Sequence, residues 1–187
     1  MGKKKRMISL AGELGSGKTT VSNMLMEILN YPIHRNGEYF RKLAVKMGMS
    51  VTEFNEYVKD HPEIDNEIEE SAREAAREND ELIIDARLGW YAVPDSFKVY
   101  LKVDIDEAAR RAYNDPKRKE SERFATVQEQ KEDMERRFQL ENERYFEVYG
   151  IHKEDESNYD LVLDTTNLSK EEVVETIIDA YNAWLKK

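Results

Sequence analysis

The chain has 187 residues, 40% of them hydrophobic and 36% charged, with 39 acidic against 29 basic side chains and a net charge of −10. That length supports one full core, and the acidic balance argues against a long polynucleotide partner, which needs broad positive surface. The absence of cysteine excludes disulfides, thiolate metal sites and a zinc-held lid.

The basic run Lys3–Arg6 precedes an apolar segment too short for a secretory signal. Arg6 stands where a myristoylation signal wants Ser or Thr, and no run approaches the roughly 20 apolar residues of a membrane span. A cytoplasmic protein without membrane contact is expected.

In chain order, Met7 to Ala11 predicts a first strand. It runs into Gly12-Glu13-Leu14-Gly15-Ser16-Gly17-Lys18-Thr19-Thr20, which satisfies G-x-x-x-x-G-K-[ST] at every fixed position. Its glycines let the backbone turn with N–H groups inward, making a phosphate nest that the positive end of the following helix reinforces. Lys18 is placed on the β- and γ-phosphates and the Thr19 hydroxyl on Mg²⁺.

The spacing of Val21, Met24, Leu25 and Ile28 predicts a helix over 18–29, stopped at Asn30. A short strand follows at Tyr31 to His34. Gly37 to Met47 reads as a helix ended by Gly48, Ser50 and Glu53 as a capping box for a helix through Val58, and Pro62 as the first position of a longer helix that buries Ile64, Ile68, Ala72 and Ala75. Three helices exceed what a strand crossover requires, so residues 36–79 are expected to form a substrate-binding insertion.

Glu81 to Asp85 and Phe97 to Val103 are further strands. Asp104 with Glu107 caps the next helix, the polar stretch 114–126 reads as a lid, and Thr126 with Glu129 caps a long helix to about Tyr149. Tyr159 to Asp164 is the last strand, and Ser169 with Glu172 caps a final helix whose Val173, Val174, Ile177, Ile178, Tyr181 and Leu185 face inward. Strands alternating with helices predict an α/β fold with a parallel sheet covered on both faces.

Phosphoryl transfer needs a donor cradle, a metal ion, cations over the developing charge and an acceptor clamp. Asp85, at the end of an apolar strand, is a candidate for holding Mg²⁺ or for a simple strand-end turn. Arg41 and Arg87 read as an acceptor-phosphate clamp or as solvated surface arginines. Arg137, Glu141 and Arg144 share one helix face, either as an ion-pair ladder or with the arginines over the transferred group and Glu141 holding them. His34, His61 and His152 show no ligand spacing, and Trp90 and Tyr91 serve packing or line a base pocket.

Gly15-Ser16-Gly17-Lys18-Thr19-Thr20, Gly37-Glu38-Tyr39-Phe40-Arg41, Ile84-Asp85-Ala86-Arg87-Leu88-Gly89-Trp90, Arg144-Tyr145 with Tyr149-Gly150-Ile151, and Tyr159 to Thr165 stand in an order that resembles the cytidylate kinase family of nucleoside monophosphate kinases, most of all its compact archaeal-type branch. The resemblance covers nearly the whole chain. It implies a single P-loop domain over 1–187, a three-layer α/β sandwich on a five-stranded parallel sheet, with a helical monophosphate-binding insertion and a short lid. The implied reaction is ATP plus CMP or dCMP giving ADP plus the diphosphate, with Mg²⁺ on Thr19 and Asp85, carried out by a monomer. It further implies that Gly12 to Thr20 with Arg111 bind ATP, that Gly37, Arg41, Asp85 and Arg87 bind the acceptor, and that Lys18, Arg137, Glu141 and Arg144 serve catalysis. Arg110 is the alternate for Arg111. Arg35, Asn36 and Ala86 depart from the family pattern on the acceptor side. Another small-molecule kinase of this architecture and a non-catalytic nucleotide-binding protein are the rival readings; the chain has no Asn-Lys-x-Asp guanine motif, and Ala86 rather than Glu follows Asp85.

Overall fold

The computed structural model describes residues 6–49, 51–116 and 124–187, except the side chains of residues 51 and 52. A central strand β1 (Arg6–Gly12) lies between β3 (Glu81–Asp85) and β4 (Phe97–Lys102), with β2 (Ile33–Arg35) outside β3 and β5 (Leu161–Asp164) outside β4. All neighbours are parallel, in the order β2-β3-β1-β4-β5.

Burial on both faces explains the apolar runs of the inner strands. Ile8, Leu10, Ile83, Val99 and Leu101 turn to one face, where α1 (Lys18–Leu29) and the C-terminal helix α8 (Lys170–Leu185) cover them with Val21, Leu25, Val173, Ile177 and Tyr181. Met7, Leu82 and Ile84 turn to the other, under Ala72 and Ala76 of α4 (Pro62–Glu78). The insertion has its own small core: Ala44 from α2 (Asn36–Lys46), Phe54 and Val58 from α3 (Val51–Lys59), and Ile64 and Ile68 from α4. On the remaining flank, α6 (Ile105–Asn114) packs Ala108, Ala109 and Ala112 on Met134 of α7 (Val127–Tyr149). A short α5 (Gly89–Ala92) follows β3.

The five-stranded parallel α/β architecture agrees with expectation, with shifts at the ends of elements. β2 begins at Ile33 because Pro32 has no N–H for the ladder and offers only its carbonyl, which accepts from Ile83 N at 2.9 Å. β5 begins at Leu161 because the Asp160 carboxylate, not a backbone carbonyl, accepts from Lys98 N at 2.8 Å. The caps at Asp104 and Thr126 and the reciprocal box of Ser169 with Glu172 are present; the expected Ser50 cap and most of the 114–126 lid lie outside the described residues. No described helix is long and apolar enough to cross a membrane.

Candidate active site

Three strand ends meet at the glycine loop. β1 delivers Gly12, where a Cβ would fall 2.9 Å from both Leu101 O and Ser16 Oγ. Glu13 ties the loop to β4, its N–H donating to Leu101 O at 2.9 Å and its Oε2 accepting from Val103 N at 2.8 Å. Gly15 and Gly17 have φ of 80° and 85°, the left-handed turn that aims successive N–H groups inward. Ser16 Oγ is buried without a hydrogen-bond partner.

Gly15 also lies against α6, a Cβ there reaching 2.8 Å from Ala108 Cβ and 2.9 Å from Ala108 O. Arg111, on the same helix, bonds Gly15 O at 3.4 Å, Thr165 O at 2.8 Å and Thr166 O at 3.0 Å. We expect Gly15→Ala to cost about 2 kcal/mol from strain and overlap, lowering Tm by about 4–8 °C. Gly17→Ala, with open space around it, should cost visibly less in the same thermal melt; equal losses would show that the contact with Ala108 is immaterial.

β3 brings Asp85 to Lys18. The carboxylate is buried; Oδ1 accepts from Lys18 Nζ, Oδ2 accepts from Ser22 Oγ at 2.8 Å, and Arg35 Nε stands 3.6 Å away. Burial first, then Arg87 and Arg35, hold the Lys18 ammonium down at about 7. A polyphosphate in the loop would add the negative charge that favours the protonated lysine.

Two residues past Asp85, Arg87 Nε donates to Glu141 Oε2 at 2.6 Å, and Lys153 Nζ reaches the same oxygen at 2.9 Å. Burial opposes the charge on Glu141, but Arg87 and then Lys153 overcome it and hold the carboxyl at about 2. Arg144, one turn along α7 from Glu141, faces α4, with Nε 3.3 Å from Asp65 Oδ2. Glu69, one turn beyond Asp65, accepts from Asn36 Nδ2 at 3.2 Å.

The expected site residues thus divide. Gly12 to Thr20, Asp85, Arg87 and Glu141 form one continuous set, and Arg144 borders it. Glu141 bonds Arg87 and Lys153, and Arg144 is ion-paired with Asp65, all off their own helix rather than in a ladder along α7. Arg137 instead lies 3.9 Å from Asp133, one turn back on α7. Arg41 is exposed on α2, its Nη1 beside Gly37, and among the described residues no ion pair joins it to Glu141, the carboxylate that holds Arg87. Arg111 braces the loop and β5 through backbone carbonyls, whereas the alternate Arg110 pairs with Glu107 in solvent. Lys153, Asp65 and Glu69 were not indicated by any motif. Lys153 is 5% exposed and reaches Glu141 only because Gly150, at φ 67°, ends α7 and turns the chain back.

Thr19 and Asp85 are hard oxygen donors of the kind Mg²⁺ takes, with both Asp85 oxygens held here by Lys18 and Ser22. Among the described residues no group of three or more His, Cys, Asp or Glu could hold a metal, so a cation here would take much of its shell from phosphate and water, as Mg²⁺ commonly does.

A family model described as cytidylate kinase-like matches residues 7–167. The chain belongs to the cytidylate kinase-like family. A cytidylate kinase from Pyrobaculum aerophilum is 33% identical over 175 residues, covering 92% of this chain and 91% of that protein. An S-adenosylmethionine-dependent nucleotide dehydratase from Lacinutrix mariniflava is 36% identical over 178 residues, 95% of this chain but 36% of that longer protein. Among solved structures, a shikimate kinase from Bacteroides thetaiotaomicron superposes with a TM-score of 0.62 at 18% identity, covering 97% of this chain and 99% of that one, a likeness of fold. Family and fold together support a phosphotransferase of the nucleotide kinase kind.

Proposed function

We propose that the protein transfers the γ-phosphoryl group of ATP to CMP or dCMP. The observation that supports this best is the end of β3: Asp85 meets Lys18 of the donor loop, and two residues on, Arg87 is locked by Glu141, which Lys153 also bonds. Donor and acceptor phosphates would meet at one strand end, between a lysine that cradles the β- and γ-phosphates and an arginine able to grip a phosphate bidentately.

Lys18 and Arg87 would offset the charge spread over the transferred group, and Glu141 would keep Arg87 aimed. Mg²⁺, carried on Thr19 and Asp85 with the ATP oxygens, would neutralise the β- and γ-phosphates. No general base is required, because the acceptor is already an anion. Base choice rests on the cytidylate kinase relatives; the dehydratase activity belongs to a protein of which this chain spans 36% and is not carried over.

ADP release with ATP and a panel of monophosphates tests the reading. CMP and dCMP should turn over, with little ATP consumed when no acceptor is present. Turnover confined to purine nucleotides, or to a non-nucleotide alcohol, would overturn it.

A further inference from the structure

The insertion meets the long helix α7 through polar groups. α4 spends its apolar residues on α2, α3 and the sheet, while Met134 of α7 packs on α6; among the described residues no apolar cluster joins α4 to α7. Across that seam Asp65 and Glu69, each 4% exposed, face Arg144 and Tyr149. Spaced four apart, the two carboxyls share one face of α4.

Their bonding is incomplete. Asp65 Oδ2 lies 3.3 Å from Arg144 Nε, yet neither atom makes a hydrogen bond, and Glu69 Oε2 and Tyr149 Oη have none either. Burying such groups unsatisfied is costly, which argues for a ligand that completes them.

We propose that Asp65 and Glu69 read the base of the acceptor nucleotide, selecting a pyrimidine with an exocyclic amine next to an unprotonated ring nitrogen, the edge that cytosine presents. The inference rests on the monophosphate kinase reading above. Glu69 supplies a donor: Asn36 Nδ2 occupies Oε1, and the amide is fixed in turn by His34 Nε2 at 3.0 Å from Asn36 Oδ1, so a proton on Glu69 belongs on the unpartnered Oε2. Burial, then Asp65, pushes Glu69 up to about 7, against Arg73 and Arg144. Asp65 is raised by burial and by Glu141, with Arg144 opposing. From α7, Tyr145 and Tyr149 also face the pair, and His34 stands behind Asn36.

The O–H of Glu69 donates to the ring nitrogen, and the Asp65 carboxylate accepts from the amine. Uracil inverts both positions, setting a carbonyl oxygen against the Asp65 carboxylate and an N–H against the Glu69 O–H. Arg144 lies within electrostatic reach of Glu141, which holds Arg87, so α7 would span the base and phosphate ends of one acceptor.

Steady-state kcat/KM for CMP and UMP at saturating ATP, on wild type, Asp65→Asn and Glu69→Gln, decides the matter. Asp65→Asn, whose amide can donate to a carbonyl, should lower the CMP:UMP ratio by about tenfold or more with the KM for ATP unchanged. Glu69→Gln keeps an N–H donor and should retain the preference. Raising the pH from about 6 to about 9 should lower the wild-type ratio as Glu69 loses its proton, and leave the Glu69→Gln ratio flat; this arm stands even if Asp65→Asn fails to fold. Parallel losses for CMP and UMP in the variants, with a pH-independent wild-type ratio, would overturn the base-reading pair and leave the kinase reading intact. A wild type inert on every pyrimidine monophosphate would overturn the kinase reading itself, and the pair with it.

Discussion

Lys18→Ala is expected to lower kcat with ATP and CMP by about 10²–10³-fold, the usual effect of losing one preorganised group aimed at developing charge, while leaving Tm nearly unchanged. Removal of a buried ion-pair partner ordinarily destabilises. Here the partner left behind is provided for: Asp85 keeps the Ser22 hydroxyl and the nearby Arg35. Lys18 itself is held against burial and two like charges, as its depressed position near 7 records, so the fold gives up little with it. Lys18→Arg should not restore the rate, since a planar fork cannot replace a point charge in a cradle built for one. Single-turnover kinetics beside a thermal melt would check both halves. A loss of less than tenfold in kcat would remove Lys18 from the transferred phosphate.

Glu141→Ala should act the opposite way, on stability first. It strands Arg87 and Lys153, the latter side chain only 6% exposed, and uncovering a buried pair in this manner costs about 3 kcal/mol, or about 6–12 °C in Tm. The wild-type carboxyl is held at about 2 against the ordinary 4.5. Its contribution is therefore present in full above about pH 4.5 and fades only as the pH falls toward 2. The surviving protein should show a raised KM for the acceptor, because Arg87 loses its brace, with the KM for ATP little changed. Adding Lys153→Met should recover part of the stability by removing one stranded charge, and none of the acceptor KM. If the double variant regains the acceptor KM as well, Glu141 does not position Arg87.

What could be read from residues alone follows how far apart the interacting groups lie in the chain. The donor loop is local: eight positions fix glycines, lysine and hydroxyl together, and the strand before and helix after complete the context. Asp85 and Arg87 are nearly as local, two residues apart at one strand end. The caps at Asp104, Thr126 and Ser169 are readable for the same reason. Lys153, by contrast, sits in a charged loop that resembles any solvated turn, and only the left-handed Gly150 sends it back under α7. Asp65 and Glu69 look like two more acids on an acidic amphipathic helix; what sets them apart is the approach of Arg144 from far along the chain, for which helical spacing carries no signal. Two readings fit Arg137, Glu141 and Arg144 because spacing says which residues share a face but not what comes to meet it. Strand ends moved by one or two residues where Pro32 and Asp160 alter the ladder, effects that hydrophobic pattern does not register.

The contact between Lys18 and Asp85 has one more implication. A lysine already paired with a buried carboxylate offers a passing anion less than an unpaired one would, even with Arg35 and Arg87 nearby. A visitor does better only if it replaces both sides of the contact, offering phosphate oxygens to the lysine and bringing a divalent ion for the aspartate. Under the kinase reading proposed above, selectivity at this pair would lie in an exchange of counterions, phosphate oxygens for the lysine and a divalent ion for the aspartate.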